Sequence, residues 1–597
     1  IRQILQQYPN HPEATHYLAY VANATGNMDA AQQLLLRAIE LDPHVAIYHK
    51  NLGAVYAAKR QHDLAAAAFT RSLQLNPNDP ETVLKYGLVL EEQNQFDKAM
   101  ECYQKAAALA PQYAEAHCNV GDILARQGQL ESSLAHYDQA IRCNPNLAEA
   151  YANRGTILDK LNREDEAIAD MSKALQLNPN MVHALRAMGV FCYRRQDYEQ
   201  AIKLIKRAVE LNPNYALAFS SLSIVYLRTG RCELAVEACK RSIELEPNFI
   251  DPHVNLGLAL TDLGRHDEAL AAYEQALKVD PDCVSTRANR AIVHLLRGNL
   301  EQGFEDYHFR WKLEDFIKIS KDRPAPRWEG QDLNGRKILL WHEQGFGDTI
   351  QFIRYAKLLA QQGATVIAEV QPELVSLLKN VEGVSQLITR KETPPQVDYH
   401  APMLSLPPIF KTQPDNIPSE HAYIHPDPKL VEQWRARVAP YSGFRVGIVW
   451  CGNPFLRLDY ERSVTPAQFL PIAQIDGVNL FSLQLGPGSE QGQRVPFQLI
   501  DLTSNIRNFA DTAAFLAHMD LTIAVDTAVL HLSAAMGRPT WGLIQRWPDW
   551  RWQLDREDSP WYPTLRLFRQ TDYRAWPPVF ERVATELEKL LATRTQP

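Results

Sequence analysis

The first half of the chain repeats one pattern of apolar and polar residues every 34 positions. An apolar run with helical spacing is followed, usually after a polar residue, by a proline, as in the segment from Ala38 to Pro43. Because proline cannot continue a helix, each one is expected to follow a helix end. The prolines in this register are Pro9, Pro43, Pro77, Pro111, Pro145, Pro179, Pro213, Pro247 and Pro281. A fixed period of this length is typical of an array of helix-turn-helix repeats.

Small and aromatic residues recur in the same register. The glycines are Gly53, Gly87, Gly121, Gly155, Gly189 and Gly257, and alanines repeat likewise on the second helix. Small side chains allow the two helices of a unit to approach closely. The aromatic residues that we expect to fill the space between units are Tyr56, Tyr226, Phe69, Tyr103, Tyr137 and Tyr273. The pattern closely resembles the tetratricopeptide repeat. That resemblance implies an α-solenoid of about nine repeats over residues 1–315. Because residues 1–8 align with the closing helix of a repeat, the array is expected to begin upstream of them.

Composition and charge narrow the class of protein. At 597 residues the chain exceeds one hydrophobic core, so at least two domains are expected. A net charge of −8 and the lack of a basic stripe argue against a nucleic-acid partner. The eight cysteines are scattered without zinc-ligand spacing, which favours a reducing compartment. No apolar run reaches the length of a membrane span, and the expected location is the cytoplasm.

One register position of the repeats carries asparagine. The residues are Asn51, Asn119, Asn153, Asn255 and Asn289. Stacked repeats place equivalent positions above one another, so these amides are expected to form a ladder on one face. An amide both donates and accepts hydrogen bonds, which suits the backbone of an extended peptide. The array also resembles that of protein O-GlcNAc transferases, where such a ladder holds substrate peptide. The alternative is that these amides bond only to neighbouring helices.

The second half of the chain alternates strand and helix patterns. Strands are predicted at 337–341, 364–370, 445–450, 480–484 and 521–525, and helices at 349–362, 512–518, 528–536 and 578–593. Strand, glycine loop, helix and strand form a βαβ unit, whose ligand crevice lies at the carboxyl ends of the strands. We predict a linker at 316–335, an N-terminal lobe at 336–440 and a C-terminal lobe at 441–597. Two doubly wound lobes of this kind describe the GT-B fold of glycosyltransferases.

Two short motifs make this interpretation more specific. Gly347-Asp348 follows the first strand, and Asp526-Thr527-Ala528-Val529-Leu530-His531 follows the apolar strand at 521–525. With their flanking residues these segments resemble glycosyltransferase family 9, the heptosyltransferase-like family, and bacterial proteins that fuse it to tetratricopeptide repeats. The resemblance covers roughly residues 334–593. Ala528 replaces the glycine of the family's second motif, which affects how closely a donor phosphate could approach.

Asp348 is the candidate catalytic residue. The resemblance implies that the Gly347-Asp348 pair carries the base, with Gly347 beside the donor. A carboxylate at a strand end can accept the proton of an acceptor hydroxyl within hydrogen-bond reach. The alternative is that Asp348 is the N-cap of the following helix, a position that aspartate favours. The two roles are compatible.

The second motif is the candidate donor site. Backbone N–H groups at the start of the helix after Thr527 can stabilise a diphosphate, and its hydroxyl can add a donor. Asp526 is expected to face the sugar, because an anion beside a diphosphate is unfavourable. His531 either contacts phosphate or packs in the core.

Three further residues complete the predicted donor site. Arg462 is the candidate cation for the diphosphate, or else an exposed surface arginine. Gln484, at a strand end, is expected to bind the nucleotide or to be a solvated amide. Trp550, in the tryptophan-rich segment 547–563, is expected to stack on the donor or to belong to a satellite core.

These residues predict transfer of a sugar from a nucleotide-sugar to a protein or peptide held by the array. No cofactor and no metal are expected, because no Asp-x-Asp motif occurs from Asp322 onward. One alternative is a non-catalytic scaffold with a degenerate GT-B domain. The other is a transferase for a lipid-linked or polysaccharide acceptor.

Overall fold

The computed structural model describes residues 2–594 except 322, 324, 419, 454–458 and 573–574. The predicted linker therefore contains two residues, Asp322 and Pro324, that lie outside the described part. Pro454, in the loop predicted to lead to Arg462, also lies outside it. The chain forms two compact units, Ile1–Asn255 and Leu256–Pro597.

The first unit is built from helices that pack in pairs. They are α1 Arg2–Gln7, α2 Pro12–Ala24, α3 Met28–Leu41, α4 Ala46–Ala58, α5 His62–Leu75, α6 Pro80–Glu92, α7 Phe96–Leu109, α8 Ala114–Arg126, α9 Leu130–Cys143, α10 Ala148–Lys160, α11 Glu164–Leu177, α12 Val182–Arg194, α13 Tyr198–Leu211, α14 Ala216–Arg228 and α15 Cys232–Leu245. The next helix, α16 Ile250–Asp262, contains the boundary between the units. The predicted solenoid of paired helices is confirmed.

The repeated prolines end the second helix of each pair, as predicted. Asp42, which precedes Pro43, has φ −147° and ψ 94°, and Asn76, which precedes Pro77, has φ −138° and ψ 90°. A residue before proline is displaced from helical to extended backbone by contact with the proline ring. The helix therefore stops at the same place in each repeat.

A left-handed residue joins the two helices of each pair, and this feature was not predicted. The positions are Gly26, Arg60, Asn94, Gly128, Asn162, Gln196, Gly230, Gly264 and Gly298, with φ between 59° and 80°. Glycine adopts this conformation without strain, whereas most other residues do so at a cost. The backbone conformation of this turn is therefore the same in each helix pair, although the residue that adopts it is not always glycine.

The repeated glycines and aromatic residues pack on each other within one unit. A Cβ atom on Gly53 would lie 2.8 Å from the Phe69 ring, and one on Gly87 would lie 2.6 Å from the Tyr103 ring. The prediction that these rings fill space between units was incomplete, because they first cover the glycine of their own helix pair. The ring fits against the helix because glycine has no side chain at that position.

The second unit begins with repeat helices and continues into an N-terminal lobe. The helices are α17 His266–Val279, α18 Val284–Leu296, α19 Leu300–His308 and α20 Glu314–Lys321, so α20 occupies the start of the predicted linker. The lobe contains β1 Lys337–Trp341, α21 Phe346–Phe352, α22 Tyr355–Gln361, β2 Thr365–Glu369, α23 Val375–Leu378, β3 Val384–Ile388, β4 Tyr399–Pro402, α24 Leu406–Ile409 and α25 Pro428–Val438. Its sheet is parallel in the order β3-β2-β1-β4.

The C-terminal lobe has a larger parallel sheet in the order β10-β9-β8-β5-β6-β7. Its elements are β5 Phe444–Val449, α26 Asp459–Arg462, α27 Leu470–Ala473, β6 Val478–Ser482, β7 Leu499–Asp501, α28 Phe509–Leu516, β8 Leu521–Val525, α29 Ala528–Ala535, β9 Thr540–Ile544, β10 Leu565–Arg569 and α30 Pro577–Arg594. The α/β region with parallel sheets is confirmed and is consistent with GT-B. Among the described helices, none is both long and apolar enough to span a bilayer.

Each sheet reverses its strand order at one point. The reversal lies between β1 and β4 in the first sheet and between β5 and β8 in the second. In open α/β sheets, ligands bind at such points, beyond the carboxyl ends of the strands. The two predicted motifs follow β1 and β8, so both lie at these positions.

Candidate functional site

Asp348 lies in the first turn of α21, beyond the carboxyl end of β1. Its Oδ2 accepts the N–H of Gly345 at 2.9 Å. Gly345 is the N-cap of α21, and Asp348 is the third helical residue. The alternative prediction that Asp348 is itself the N-cap was therefore wrong, because the helix begins earlier. Its carboxylate still satisfies a free N–H group at the helix start.

Arg551 lies at the centre of the site. Its guanidinium donates to Asp348 Oδ1, to Gln351 Oε1 at 2.7 Å and to Asp549 Oδ1 at 2.8 Å. It also lies 4.4 Å from the centre of the Trp550 ring. Arg551 was not predicted from the sequence, although it stands between two tryptophans of the tryptophan-rich segment. This arginine joins the two lobes at the predicted base.

Burial governs the ionisation of Asp348. Loss of solvent raises the pKa of this carboxyl group, and the charge of Arg551 opposes the rise. A carboxylate with a raised pKa holds a proton more strongly and is a better base near neutral pH. The environment therefore suits proton acceptance.

His531 lies on α29 and contacts the other motif directly. A Cβ atom on Gly347 would lie 2.9 Å from His531 Cδ2, so the ring packs on the glycine. His531 Nδ1 is 2.8 Å from the Tyr562 hydroxyl, and Nε2 is 3.9 Å from Asp526 Oδ1. Burial and nearby arginines lower the pKa of His531 well below its usual value. The imidazole is therefore neutral at neutral pH.

Asp526 follows β8 and is mostly covered. Burial raises the pKa of its carboxyl group to about 6, Asp549 adds to the rise, and Arg462 opposes it. Arg462 donates to the Asp526 carbonyl oxygen at 2.9 Å and to Asp459 Oδ1 at 2.9 Å. Arg462 is thus held by the protein at the motif, and it is not the exposed arginine of the alternative prediction.

The other predicted donor residues make contacts within the protein. The Thr527 hydroxyl donates to the Val525 carbonyl at 3.2 Å. Gln484 Oε1 accepts the N–H groups of Trp450 and Cys451 at 3.2 and 3.0 Å, so this amide is buried and not solvated. Donor-binding roles for both residues remain predictions.

Trp550 is 5% exposed and belongs to the core. Its ring packs edge-on against Phe304 at 5.5 Å and against Trp561 at 6.0 Å. Trp552 and Trp561 are also buried. The alternative of a buried segment is therefore right in part, because Trp550, Trp552 and Trp561 belong to the large hydrophobic cluster shared by both lobes and not to a small satellite core. Stacking of a donor on Trp550 would need a free ring face that the burial does not leave.

Known families match segments in both halves of the chain. Models described as TPR repeat or tetratricopeptide repeat match residues 18–80, 87–128, 121–162, 148–181, 182–215 and 250–283. The model of glycosyltransferase family 9 (heptosyltransferase) matches residues 504–561. The chain carries tetratricopeptide repeats and a family 9 glycosyltransferase segment. That segment contains Asp526, His531, Asp549 and Arg551.

One curated relative and several solved structures share part of the chain. Protein FlbA of Caulobacter vibrioides is 28% identical in an alignment of 338 positions that covers 51% of this chain and 55% of FlbA. The aligned region thus spans about half the length of that relative. A structure titled APC/C hetero-tetramer Cut9-Hcn1 has a TM-score of 0.40 at 16% identity, covering 46% of this chain and 54% of that one. YrrB, titled a TPR protein with an unusual peptide-binding site, has a TM-score of 0.27 at 22% identity, covering 31% of this chain and 96% of YrrB.

The asparagines of the tetratricopeptide repeats bond largely to neighbouring helices. Asn51 Nδ2 is 2.7 Å from His16 Nε2, Asn153 donates to Asp122 at 2.8 Å, and Asn255 donates to Ser223 at 3.1 Å. Each contact reaches the preceding repeat, as the alternative prediction states. Asn119 and Asn289 are half-buried. A peptide ladder remains a prediction for these five residues.

Proposed function

We propose that the C-terminal unit transfers a sugar from a nucleotide-sugar to an acceptor hydroxyl at the Asp348–His531 cluster. One observation carries this proposal. The helices of the two motifs, α21 and α29, pack on each other, so residues about 180 positions apart form one site. Gly347 contacts His531, and Asp348 pairs with Arg551.

Asp348 is the proposed base. It takes the proton of the acceptor hydroxyl on Oδ1, and the acceptor oxygen forms a bond to the anomeric carbon. The bond from that carbon to the diphosphate breaks, and the nucleoside diphosphate leaves with the electron pair. Arg551 occupies Oδ1 in the structure, so it must first move away. The diphosphate of the donor offers several anionic oxygens that a guanidinium can bind in bidentate fashion, and it would compete with Asp348 for Arg551.

Asp526 is proposed to face the sugar. Positive charge develops at the anomeric carbon as the leaving group departs, and a nearby carboxylate stabilises that charge. The diphosphate is proposed to lie on the N–H groups at the start of α29, where Thr527, Ala528 and Val529 are partly exposed. Arg462, already at the Asp526 carbonyl, is the second proposed cation. Independence from metal is part of this proposal, and activity in excess EDTA checks it.

The acceptor is proposed to be a protein or peptide, because a repeat array precedes the catalytic unit. Tetratricopeptide repeats commonly offer extended surfaces to other chains. A lipid-linked or polysaccharide acceptor is the competing proposal. Transfer to denatured peptides from a cell lysate, with a radiolabelled donor, would favour the first, and label found only in the lipid or polysaccharide fraction would favour the second.

The proposed chemistry is tested in two steps. First, thermal shift with ADP-, GDP-, UDP-, CMP- and dTDP-sugars identifies the donor, because a ligand that binds only the folded protein stabilises it. Second, Asp348→Asn is expected to lower kcat by about 10²–10⁴-fold, the usual contribution of a general base. Donor binding should persist. Asp332→Asn is the control, since this exposed carboxylate lies in the segment that precedes the same lobe.

Two outcomes would each refute a different part of the proposal. No stabilisation and no transfer with any donor would favour the non-catalytic scaffold. Full activity of Asp348→Asn would remove Asp348 as the base while leaving the enzyme proposal intact.

A further inference from the structure

The last tetratricopeptide repeat contacts the loop that leads to Asp348. Arg310, which follows α19, donates from Nε to Glu343 Oε1 at 3.0 Å and from Nη2 to Glu343 Oε2 at 3.1 Å. The two side chains are 5% and 1% exposed. Glu343 stands five residues before Asp348 in the chain. A buried two-bond contact of this kind fixes both the position and the orientation of the loop.

A second contact holds the same loop. Gln344 Nε2 donates to the Tyr307 hydroxyl at 2.9 Å, and Tyr307 lies on α19. The Arg310 guanidinium in turn lies 4.5 Å from the centre of the Tyr307 ring. Arg310 and Trp311 both donate to the Ser405 hydroxyl, at 2.9 and 3.2 Å, which anchors this part of the repeat to the N-terminal lobe.

The same repeat also contacts the loop that carries Arg551. The Phe304 ring packs at 87° on Trp550, the neighbour of Arg551. The Leu554 N–H donates to the Leu296 carbonyl at 3.1 Å. One hydrophobic cluster includes Phe304, Leu296 and Trp550 together with residues of both lobes. The repeat therefore supports both partners of the Asp348–Arg551 ion pair.

We infer that the last tetratricopeptide repeat holds the proposed base in its active position, with Arg310 and Tyr307 as positioning residues for Asp348. Arg310 acts through Glu343 and Tyr307 through Gln344, and neither touches the reacting atoms. This inference rests on the proposed function. It assigns to the repeats a role in setting the geometry of the base, in addition to any role in binding an acceptor.

The test uses the full chain and compares substitutions at Arg310, Tyr307 and Arg290, which all lie in or directly after the same repeat. Arg310→Gln breaks the contact with Glu343. Arg290→Gln is the matched control, because Arg290 pairs with the buried Asp306 inside the repeat and does not reach either loop. Tyr307→Phe removes only the hydroxyl that accepts the hydrogen bond from Gln344. It preserves the ring and leaves no buried charged group without its partner.

The expected result separates positioning from simple stability. Arg310→Gln should lower kcat by about 100-fold, since a misplacement of about 1 Å costs that much, while KM for the donor stays unchanged. Tyr307→Phe should lower kcat less, at an unchanged Tm. Wild-type kcat in both variants, or an equal loss in Arg290→Gln, would overturn the inference. If Arg310→Gln fails to fold, Tyr307→Phe alone decides.

Amide hydrogen exchange separates this inference from the proposed function. Arg310→Gln should speed exchange at residues 343–352 and leave residues 521–527 unchanged, whereas Arg290→Gln should change neither. If the wild-type protein transfers no sugar, the proposed function fails, but faster exchange at residues 343–352 would still support positioning by the repeat. Unchanged exchange there would overturn it.

Discussion

Replacement of Asp526 by asparagine should stabilise the C-terminal unit at pH 8 and impair transfer. The side chain of Asp526 is 15% exposed, and burial raises its pKa from 3.8 to about 6. Ionising this carboxyl group is therefore unfavourable in the folded protein. Asparagine has nearly the same shape and carries no charge, so Asp526→Asn removes that cost.

The size of the effect follows from the pKa. A rise from 3.8 to about 6 corresponds to about 3 kcal/mol in favour of the protonated form, at about 1.4 kcal/mol per pKa unit. Because the folded protein binds this proton more tightly than the unfolded chain, the free energy of unfolding falls as pH rises from about 4 to about 6. At pH 8 the full cost is present, and at pH 4 it is nearly absent. Relaxation of the site and loss of attraction to Arg462 should reduce the measured gain to about 1–3 kcal/mol.

Urea unfolding followed by tryptophan fluorescence measures this difference. All 11 tryptophans lie at or after Trp311, so the signal reports the second unit alone. Asp526→Asn should raise the urea midpoint at pH 8 and leave it nearly unchanged at pH 4. Asp332→Asn, at an exposed carboxylate, should change neither. Equal stabilisation at both pH values, or destabilisation at pH 8, would refute the reasoning.

Further substitutions test the repeat turns and the packing of the two motifs. Arg60→Gly should raise the free energy of unfolding of the array by about 0.5–1 kcal/mol, because Arg60 has φ 59°. Gly128→Ala should lower this free energy by about 1–2 kcal/mol, since no atom would lie within 4 Å of the new Cβ and only the backbone at φ 76° is strained. Far-UV circular dichroism measures the unfolding of both variants. A change of the opposite sign in either variant would contradict the turn geometry. Gly347→Ala should lower transfer and destabilise the second unit by about 1–3 kcal/mol, because its Cβ would lie 2.9 Å from His531. Gly345→Ala, whose Cβ would meet Asp348 Oδ2 at 3.6 Å, is its control in the same fluorescence assay.

Much of the fold could be predicted from the sequence because it depends on local periodicity. The prolines of the repeats end helices by local sterics, and the apolar run at residues 521–525 became β8 with the predicted bounds. The single helix predicted at residues 349–362 forms two helices, α21 and α22. The left-handed turns were missed because Arg60, Asn94, Asn162 and Gln196 occupy four of their positions. Because the residue type varies at this position from repeat to repeat, the sequence does not indicate a left-handed turn.

The site could be predicted only where a motif names its residues. Asp348, Asp526 and His531 follow strands at recognisable motifs, and the structure brings all three together. Arg551 could not be placed, because its partner Asp348 is 203 residues away and only tertiary packing joins them. The contact of Arg310 with Glu343 was missed for the same reason, since nothing in a repeat pattern indicates which repeat contacts the loop before Asp348.

If Asp348 is the base, as proposed, the electrostatics of the cluster would connect donor binding to its activation. In the structure Arg551 pairs with both Asp348 and Asp549. A diphosphate that attracts Arg551 would leave Asp348 buried without its cation. Because the charge of Arg551 is what opposes the rise of the Asp348 pKa, its departure would raise that pKa further and strengthen the base. The carboxylate would then be most reactive only when a donor is bound, which places donor binding before proton transfer from the acceptor.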